Sequence, residues 1–194
     1  LGVLVLLALG IVASMLYVVR QQTVVIIERF GKYYTTASSG IHIRLPFGID
    51  KIAARIQLRL LQSEIVVETK TKDNVFVTLN VATQYRVSEQ NVIDAYYKLM
   101  RPEAQIKSYI EDALRSSVPK LTLDELFEKK DEIALEVQHQ VAEEMSTYGY
   151  VIVKTLITKV EPDAEVKQSM NEINAAQRKR VAAQELAEAD KIKI

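Results

Sequence analysis

The sequence predicts an α+β protein with a membrane-spanning helix at its N-terminal end and a long assembly helix at its C-terminal end. Residues 1–19 are almost wholly apolar, and residues 20–163 contain alternating β-branched runs followed by helical patterns. Residues 164–194 consist mainly of alanine, glutamate, lysine, arginine and glutamine, which favour helix. We therefore expect a transmembrane helix at 1–19, a domain with an antiparallel sheet and packed helices at 20–163, and the start of a coiled-coil-like helix at 164–194.

The first region is the candidate membrane anchor. About 20 apolar residues are needed to cross a hydrocarbon core about 30 Å thick, and residues 1–19 contain no charge before Arg20. A cleaved signal peptide and a buried core helix are the alternatives. The run is longer than a usual signal core and lacks a convincing A-x-A cleavage site. The predicted anchor side chains are Leu4, Leu6, Leu7, Leu9, Ile11, Val12, Leu16 and Val18.

The residues that flank this run predict its orientation. Arg20, Arg29 and Lys32 outweigh Glu28 after the apolar run, so the positive-inside rule places the main domain in the cytoplasm. Because the chain begins with Leu1 and not with methionine, we expect further residues upstream.

Composition argues against several kinds of function. The 25 basic and 25 acidic side chains balance, so no overall field recruits nucleic acid. The chain has no cysteine, which excludes disulfides, thiolate catalysis and cysteine-bound metals. Its two histidines, His42 and His139, are far apart in sequence, and we expect both at the surface. No nucleophile-elbow, phosphate-loop or zinc-protease motif occurs. We therefore predict no enzymatic activity, no catalytic residue, no metal site and no cofactor.

β-Branched runs and period-two alternation predict the strands of the middle domain, and we expect two of these strands to form a hairpin. The runs lie at 23–27, 41–45, 63–69, 75–87 and 151–160. The third and fourth runs flank Asp73 and Asn74, which are typical turn residues, so we expect these two runs to pair as an antiparallel hairpin.

Helical signals occupy the segment between the fourth and fifth runs. They begin at Ser88, and Pro102 suits the first position of a second helix, which ends before Pro119. Thr122 opens a capping box for a third helix, which Gly149 ends. The predicted core positions of the last two helices are Ile106, Ile110, Leu114, Phe127, Ile133, Val137, Val141 and Met145.

An apolar turn follows the second run and is a candidate membrane contact. Apolar turn tips are costly in water, so this one is expected to enter the membrane interface. Packing beneath the strand layer is the equal alternative. The residues concerned are Leu45, Pro46, Phe47 and Ile49.

The last region is predicted to be the assembly element. Its apolar stripe is too narrow for a globular core, and its small alanines allow a neighbouring helix to approach closely. Basic residues 178–180 are expected to pair with Glu185 and Glu188 of a neighbouring copy, and we expect the helix to continue beyond Ile194. The predicted interface residues are Val166, Met170, Ile173, Ala176, Arg180, Val181, Ala183 and Ala187.

Several stretches of the chain resemble the SPFH superfamily, also called band 7 or prohibitin-homology proteins, which includes stomatin, prohibitin, flotillin and HflK/HflC. The stretches are E-R-F-G-K at 28–32, G-I-H at 40–42 followed by L-P-F at 45–47, and T-K-D-N-V at 71–75. The chain most resembles the hypersensitive-induced-reaction proteins of plants and their bacterial relatives. That likeness rests on further stretches: TKTKDNVFVT (69–78), QYRV (84–87), SVPKL (117–121), YGY (148–150), KTLI (154–157), EPD (161–163) and MNEINAA (170–176).

This resemblance implies a prohibitin-homology domain and a helix that packs beside copies of itself in a large homo-oligomeric ring or cage on a membrane. The implied function is a scaffold that organises membrane microdomains and client membrane proteins. The alternative is a regulatory subunit that binds and restrains a membrane-bound protease. The implied partners are membrane lipid, other copies of the chain, and a protease or other client, with no nucleic acid. Plant members of this subgroup lack a spanning helix, whereas this chain has an apolar run in that place, like stomatin-type members.

Overall fold

The described part of the chain forms three antiparallel sheets with helices beside the largest of them, as seen in a computed structural model. The model describes residues 2–192, with side chains described except at positions 3–5, 7, 8, 11 and 186–192. The first half contains helix α1 (Gly2–Met15) and strands β1 (Leu16–Val19), β2 (Thr23–Arg29), β3 (Lys32–Ala37), β4 (Gly40–Ile43), β5 (Asp50–Gln57), β6 (Leu61–Lys70) and β7 (Phe76–Val87). The second half contains helices α2 (Val92–Tyr97), α3 (Pro102–Ser117), α4 (Leu123–Glu128) and α5 (Lys130–Ser146), strand β8 (Tyr150–Pro162) and helix α6 (Ala164–Ile192).

The first helix is shorter than predicted. α1 has 14 residues and ends at Met15, after which β1 pairs with β4. Tyr17, Val18 and Val19 are aromatic and β-branched residues, which favour a strand. The backbone of β4 provides the hydrogen-bond partners that this strand requires. Among the described residues, no helix has the length and apolar character required to cross a membrane. The prediction of a single spanning helix at 1–19 is therefore not supported.

Strand β2 is the centre of a three-stranded sheet with the order β3-β2-β5, and its four consecutive apolar residues have two different environments. Val24 and Ile26 join the main core, whereas Val25 and Ile27 join a small second core beneath the β1–β4 ribbon. A strand buried on both faces reads as a continuous apolar run, which explains the absence of alternation here. Strands β1, β3 and β5 were not predicted.

The larger sheet has the order β6-β7-β8, and its first hairpin confirms the predicted pairing. The register runs from Lys70 opposite Phe76 to Leu61 opposite Tyr85. In the turn, the Asp73 carboxylate accepts hydrogen bonds from the Thr71 hydroxyl and from the Leu123 backbone N–H. The turn is thus tied to the first residue of α4.

Helices α3 and α5 contribute most of the helical residues in the main core, and one predicted core position is wrong. Phe127 is 39% exposed, while the other predicted helical core residues are buried. The predicted single helix is broken at Lys129 into α4 and α5, so Leu126 and not Phe127 is buried in the core. The capping box at Thr122 is confirmed: the Thr122 backbone N–H donates a hydrogen bond to the Glu125 carboxylate at 2.9 Å.

Candidate functional site

One face of the β1–β4 ribbon is wholly apolar and exposed. Leu16 stands opposite Ile43, and Val18 stands opposite Ile41, so these four side chains share a face because side chains alternate along each strand. The opposite face carries Tyr17 and other residues that pack on the small second core. A continuous exposed apolar face of this kind marks a lipid or protein contact.

Two turn tips also expose phenylalanine. Phe30 and Gly31 connect β2 to β3 with φ values of 50° and 77°, and Phe47 and Gly48 occupy a turn with φ values of 60° and 78°. Two successive residues at positive φ are typical of a type I′ turn, whose first central position favours asparagine, aspartate or glycine. The two phenylalanines are 82% and 83% exposed. A left-handed backbone is unfavourable for a bulky side chain and is found preferentially at functional positions.

The two tips lie at the same end of the β3-β2-β5 sheet. Arg29, just before Phe30, pairs across the sheet with Asp50, which lies shortly after Phe47. Arg29 Nε is 2.7 Å from Asp50 Oδ1, and Arg29 Nη2 is 3.1 Å from Oδ2. The backbone N–H of Leu45 donates to the same Oδ2 at 2.8 Å, which holds the second turn against the strand. These bonds, led by the one from Arg29, keep the pKa of the Asp50 carboxyl below its usual value despite its burial.

The C-terminal end of helix α1 lies beside the turn at Phe47. The Arg44 backbone N–H donates to the Met15 carbonyl at 2.9 Å, so the end of α1 adjoins the second turn. We call the surface formed by α1, the apolar ribbon face and the two phenylalanine tips the apolar end. It combines an apolar helix, a β surface and two exposed aromatic rings, which suits a lipid interface.

The structure distributes the predicted membrane residues over several elements. Leu6, Leu9 and Val12 are exposed on α1, while Leu16 and Val18 lie on β1. The side chains of Leu4, Leu7 and Ile11 lie outside the described residues. In the predicted turn, Leu45 and Phe47 are exposed, and Pro46 and Ile49 are partly buried.

Sequence reasoning missed Phe30, Ile41 and Ile43 as parts of this surface. The phenylalanine–glycine pair at Phe30 repeats the pair at Phe47 and was an available signal. The two isoleucines were assigned to a strand, but their exposed face depends on the unpredicted partner β1.

Helix α6 carries the predicted assembly residues in two different environments. The Asp163 carboxylate caps its first turn by accepting from the Val166 backbone N–H at 3.1 Å. Val166 and Met170 pack partly against the main core of their own domain. The predicted residues exposed farther along the helix are Ile173, Ala176, Arg180, Val181 and Ala183, and the Ala187 side chain lies outside the described residues. Their role in assembly stays a prediction.

A tyrosine-lined seam joins the two larger sheets and is the second candidate site. Tyr97 donates to Glu28 at 2.7 Å, and Tyr96 donates to the Ala53 carbonyl at 3.3 Å. Burial and the Glu28 carboxylate raise the pKa of Tyr97 to about 12. Clefts of about 690 Å³ and 440 Å³ open along this seam and share the ring of Tyr150. The hydroxyl groups of Tyr96 and Tyr97 are engaged within the fold, so the seam serves to join the sheets.

The described side chains form no metal centre. No group of three or more histidine, cysteine, aspartate or glutamate side chains that could hold a metal ion occurs among them. His139 is exposed on α5, as predicted. His42 Nε2 lies 2.7 Å from the Ser38 carbonyl oxygen, and its ring lies beside Tyr17, so this imidazole supports the ribbon.

Comparison with known proteins adds the family. The sequence model described as SPFH domain / Band 7 family matches residues 17–191, which confirms the resemblance noted above. Hypersensitive-induced response protein 4 of Arabidopsis thaliana is 41% identical over 174 residues, which cover 90% of this chain and 60% of that protein. Uncharacterized proteins of Methanothermobacter thermautotrophicus and Mycobacterium tuberculosis are 26% and 25% identical, over 93% and 94% of this chain and 56% and 47% of their own lengths. The chain thus spans between 47% and 60% of the length of these relatives.

Proposed function

Because the chain belongs to the SPFH domain / Band 7 family, we propose that it is a membrane-associated scaffold whose copies assemble into a ring or cage. Membership of this family supports a scaffold-like role and not catalysis, and the family is associated with membranes in general. On this proposal, the apolar end contacts lipid and α6 contacts other copies, so that the ring organises lipids and client membrane proteins around it.

The apolar end is the observation that carries the proposal. Its side chains would cost free energy in water, at about 25 cal/mol for each Å² of apolar surface. Lipid contact removes that cost for α1, for the ribbon face and for both phenylalanine tips at once. The exposed cations Lys32 and Lys51 lie close to the tips in sequence and suit the headgroup layer.

Helix α6 supports the assembly half of the proposal. Beyond its first two turns its described side chains are exposed, and Ile173 is 65% exposed. An isolated helix of this kind gains little stability by itself. Repeated head-to-tail contacts between copies would cover it and close a ring if the rotation allows.

Site-resolved labelling of the full chain tests the lipid contact. The chain has no cysteine, so single replacements Ile41→Cys and Phe47→Cys can each carry one environment-sensitive fluorophore. Val66→Cys is the matched control, because Val66 is an exposed apolar residue on β6, which belongs to neither of the two sheets that form the apolar end. On reconstitution into phosphatidylcholine vesicles, we expect blue-shifted emission at positions 41 and 47 and none at 66. Water-like emission at 41 and 47 would contradict the proposed contact.

Co-purification distinguishes the scaffold from the alternative role, a regulatory subunit of a membrane-bound protease. Extraction from its native membrane in mild detergent, followed by affinity purification, should yield the chain without a stoichiometric protease if it acts as a scaffold. A protease recovered in a fixed ratio would favour the role of a subunit that restrains it.

A further inference from the structure

A small cleft with both charged and apolar walls lies beside the apolar end, between the end of α1 and the turn at Phe47. Its volume is about 340 Å³. Its lining includes two cations, Arg44 and Lys51, together with the apolar turn residues 45–47. Cationic and apolar groups are therefore adjacent in one concave site, at the border of the surface proposed to meet lipid.

The only acid that lines this cleft, within the described part of the chain, is already occupied. Asp50 is buried, and both of its oxygens accept hydrogen bonds from Arg29, while Oδ2 also accepts from Leu45. The positive charge of Arg29 therefore offsets the charge of Asp50. The two remaining cations give the cleft a net positive charge.

Neither of those cations has a carboxylate partner in the described structure. The ion pairs of the described side chains include neither Arg44 nor Lys51. The cross-strand neighbour of Lys51 is Glu28, whose carboxylate accepts the hydroxyl hydrogen bond of Tyr97 instead. A guanidinium and an ammonium group without carboxylate partners are ready to bind an anion.

We propose that Arg44 and Lys51 bind the phosphate of an anionic membrane lipid whose acyl chains lie along the apolar end. This inference rests on the proposed membrane contact and names the lipid class that the contact prefers. A free phosphate would use the two cations and leave the apolar lining in water, whereas a phospholipid satisfies both. Each such cation near an anionic membrane surface strengthens binding about fivefold, and the pair about twenty-five-fold.

Titration of the purified full chain with short-chain lipids in a nonionic detergent tests the site. The probes are dihexanoyl-phosphatidylglycerol, dihexanoyl-phosphatidylcholine and glycerol phosphate, followed by calorimetry. The test variant is Arg44→Gln/Lys51→Gln. The control, Arg86→Gln/Lys154→Gln, removes the same charge from exposed positions on β7 and β8. We expect the wild type to bind the glycerol lipid about twenty-five-fold more tightly than the test variant does. The wild type should prefer the glycerol lipid over the choline lipid, whose ammonium group repels the two cations, and should bind glycerol phosphate far more weakly than the glycerol lipid.

The variants decide the outcome. The test variant should lose the preference between the two lipids, and the control variant should keep it. Equal losses in both variants would assign the effect to overall charge and overturn the site. Glycerol phosphate binding as tightly as the lipid would overturn the lipid as its ligand. Labels at 41 and 47 that enter vesicles while no lipid preference exists would overturn only this site and leave the membrane contact standing.

Discussion

Replacing Gly149 with alanine is expected to destabilise the domain more than the same replacement at Gly31. Both glycines have a left-handed backbone, with φ of 78° and 77°. A Cβ at Gly31 meets nothing within 4 Å. A Cβ at Gly149 would collide with the backbone oxygen of Asn91 and would lie 3.2 Å from the backbone nitrogen of Ala95. The pair of variants therefore separates backbone strain from steric overlap.

Backbone strain and steric overlap determine how much each replacement lowers the free energy of unfolding. A left-handed backbone costs an alanine about 1–2 kcal/mol, and the lower entropy of its unfolded chain offsets about 0.4–1 kcal/mol. Gly31→Ala should therefore lower the free energy of unfolding by about 1 kcal/mol. Overpacking against Asn91 and α2 adds about 1–3 kcal/mol at Gly149, because the Asn91 oxygen and the Ala95 nitrogen belong to backbone and cannot turn aside.

Urea unfolding of the two variants in detergent, followed by circular dichroism, measures the difference. We expect Gly149→Ala to unfold at the lower urea concentration, with an unchanged slope. In thermal melts, 1 kcal/mol corresponds to about 2–4 °C for a chain of this size. Equal losses in the two variants would show that α2 moves away at no cost, and the steric reasoning would then be wrong.

Two further predictions concern assembly and the apolar end. Truncation after Pro162 should leave a smaller species on gel filtration in detergent, and so should Ile173→Glu/Val181→Glu, whose side chains are exposed and spare the core. An unchanged particle size in both would exclude α6 as the assembly element. Because the pKa of Asp50 is lowered on folding, its contribution to stability is present above its ordinary value of 3.8 and is lost as pH falls through the lowered value. Asp50→Asn should therefore weaken the acid dependence of the melting temperature, and a profile identical to wild type would contradict the role of Asp50 as the charged partner of Arg29.

Local signals predicted the elements that depend on neighbouring residues. The hairpin across Asp73, the capping box at Thr122 and the helix end at Gly149 each need only a few adjacent residues, and all three are present. Strand β5 was missed because it is a half-buried edge strand with only weak alternation. Strand β1 was missed because its four residues end a 19-residue apolar run, and a run of that length is typical of a membrane helix.

Only part of the candidate site was predicted, because its two turns are far apart in sequence. The turn at Phe47 was recognised from its apolar residues, but its companion at Phe30 lies in the β2–β3 hairpin. The two come together because Arg29 and Asp50 pair across β2 and β5, 21 residues apart. No local pattern encodes that β2 and β5 become neighbours, because no single turn joins them.

The sequence by itself determined the family, the α+β class, the absence of cysteine chemistry and the long, polar, alanine-rich last helix. Composition and short motifs are sufficient to indicate these properties. Only the tertiary structure decided that the first helix ends at Met15 and that the ribbon turns its apolar face outward. It also decided that two phenylalanine tips share one end of a sheet. Each of these features depends on pairing between strands that are separated in sequence. That pairing decides which face of a strand is buried and which is exposed.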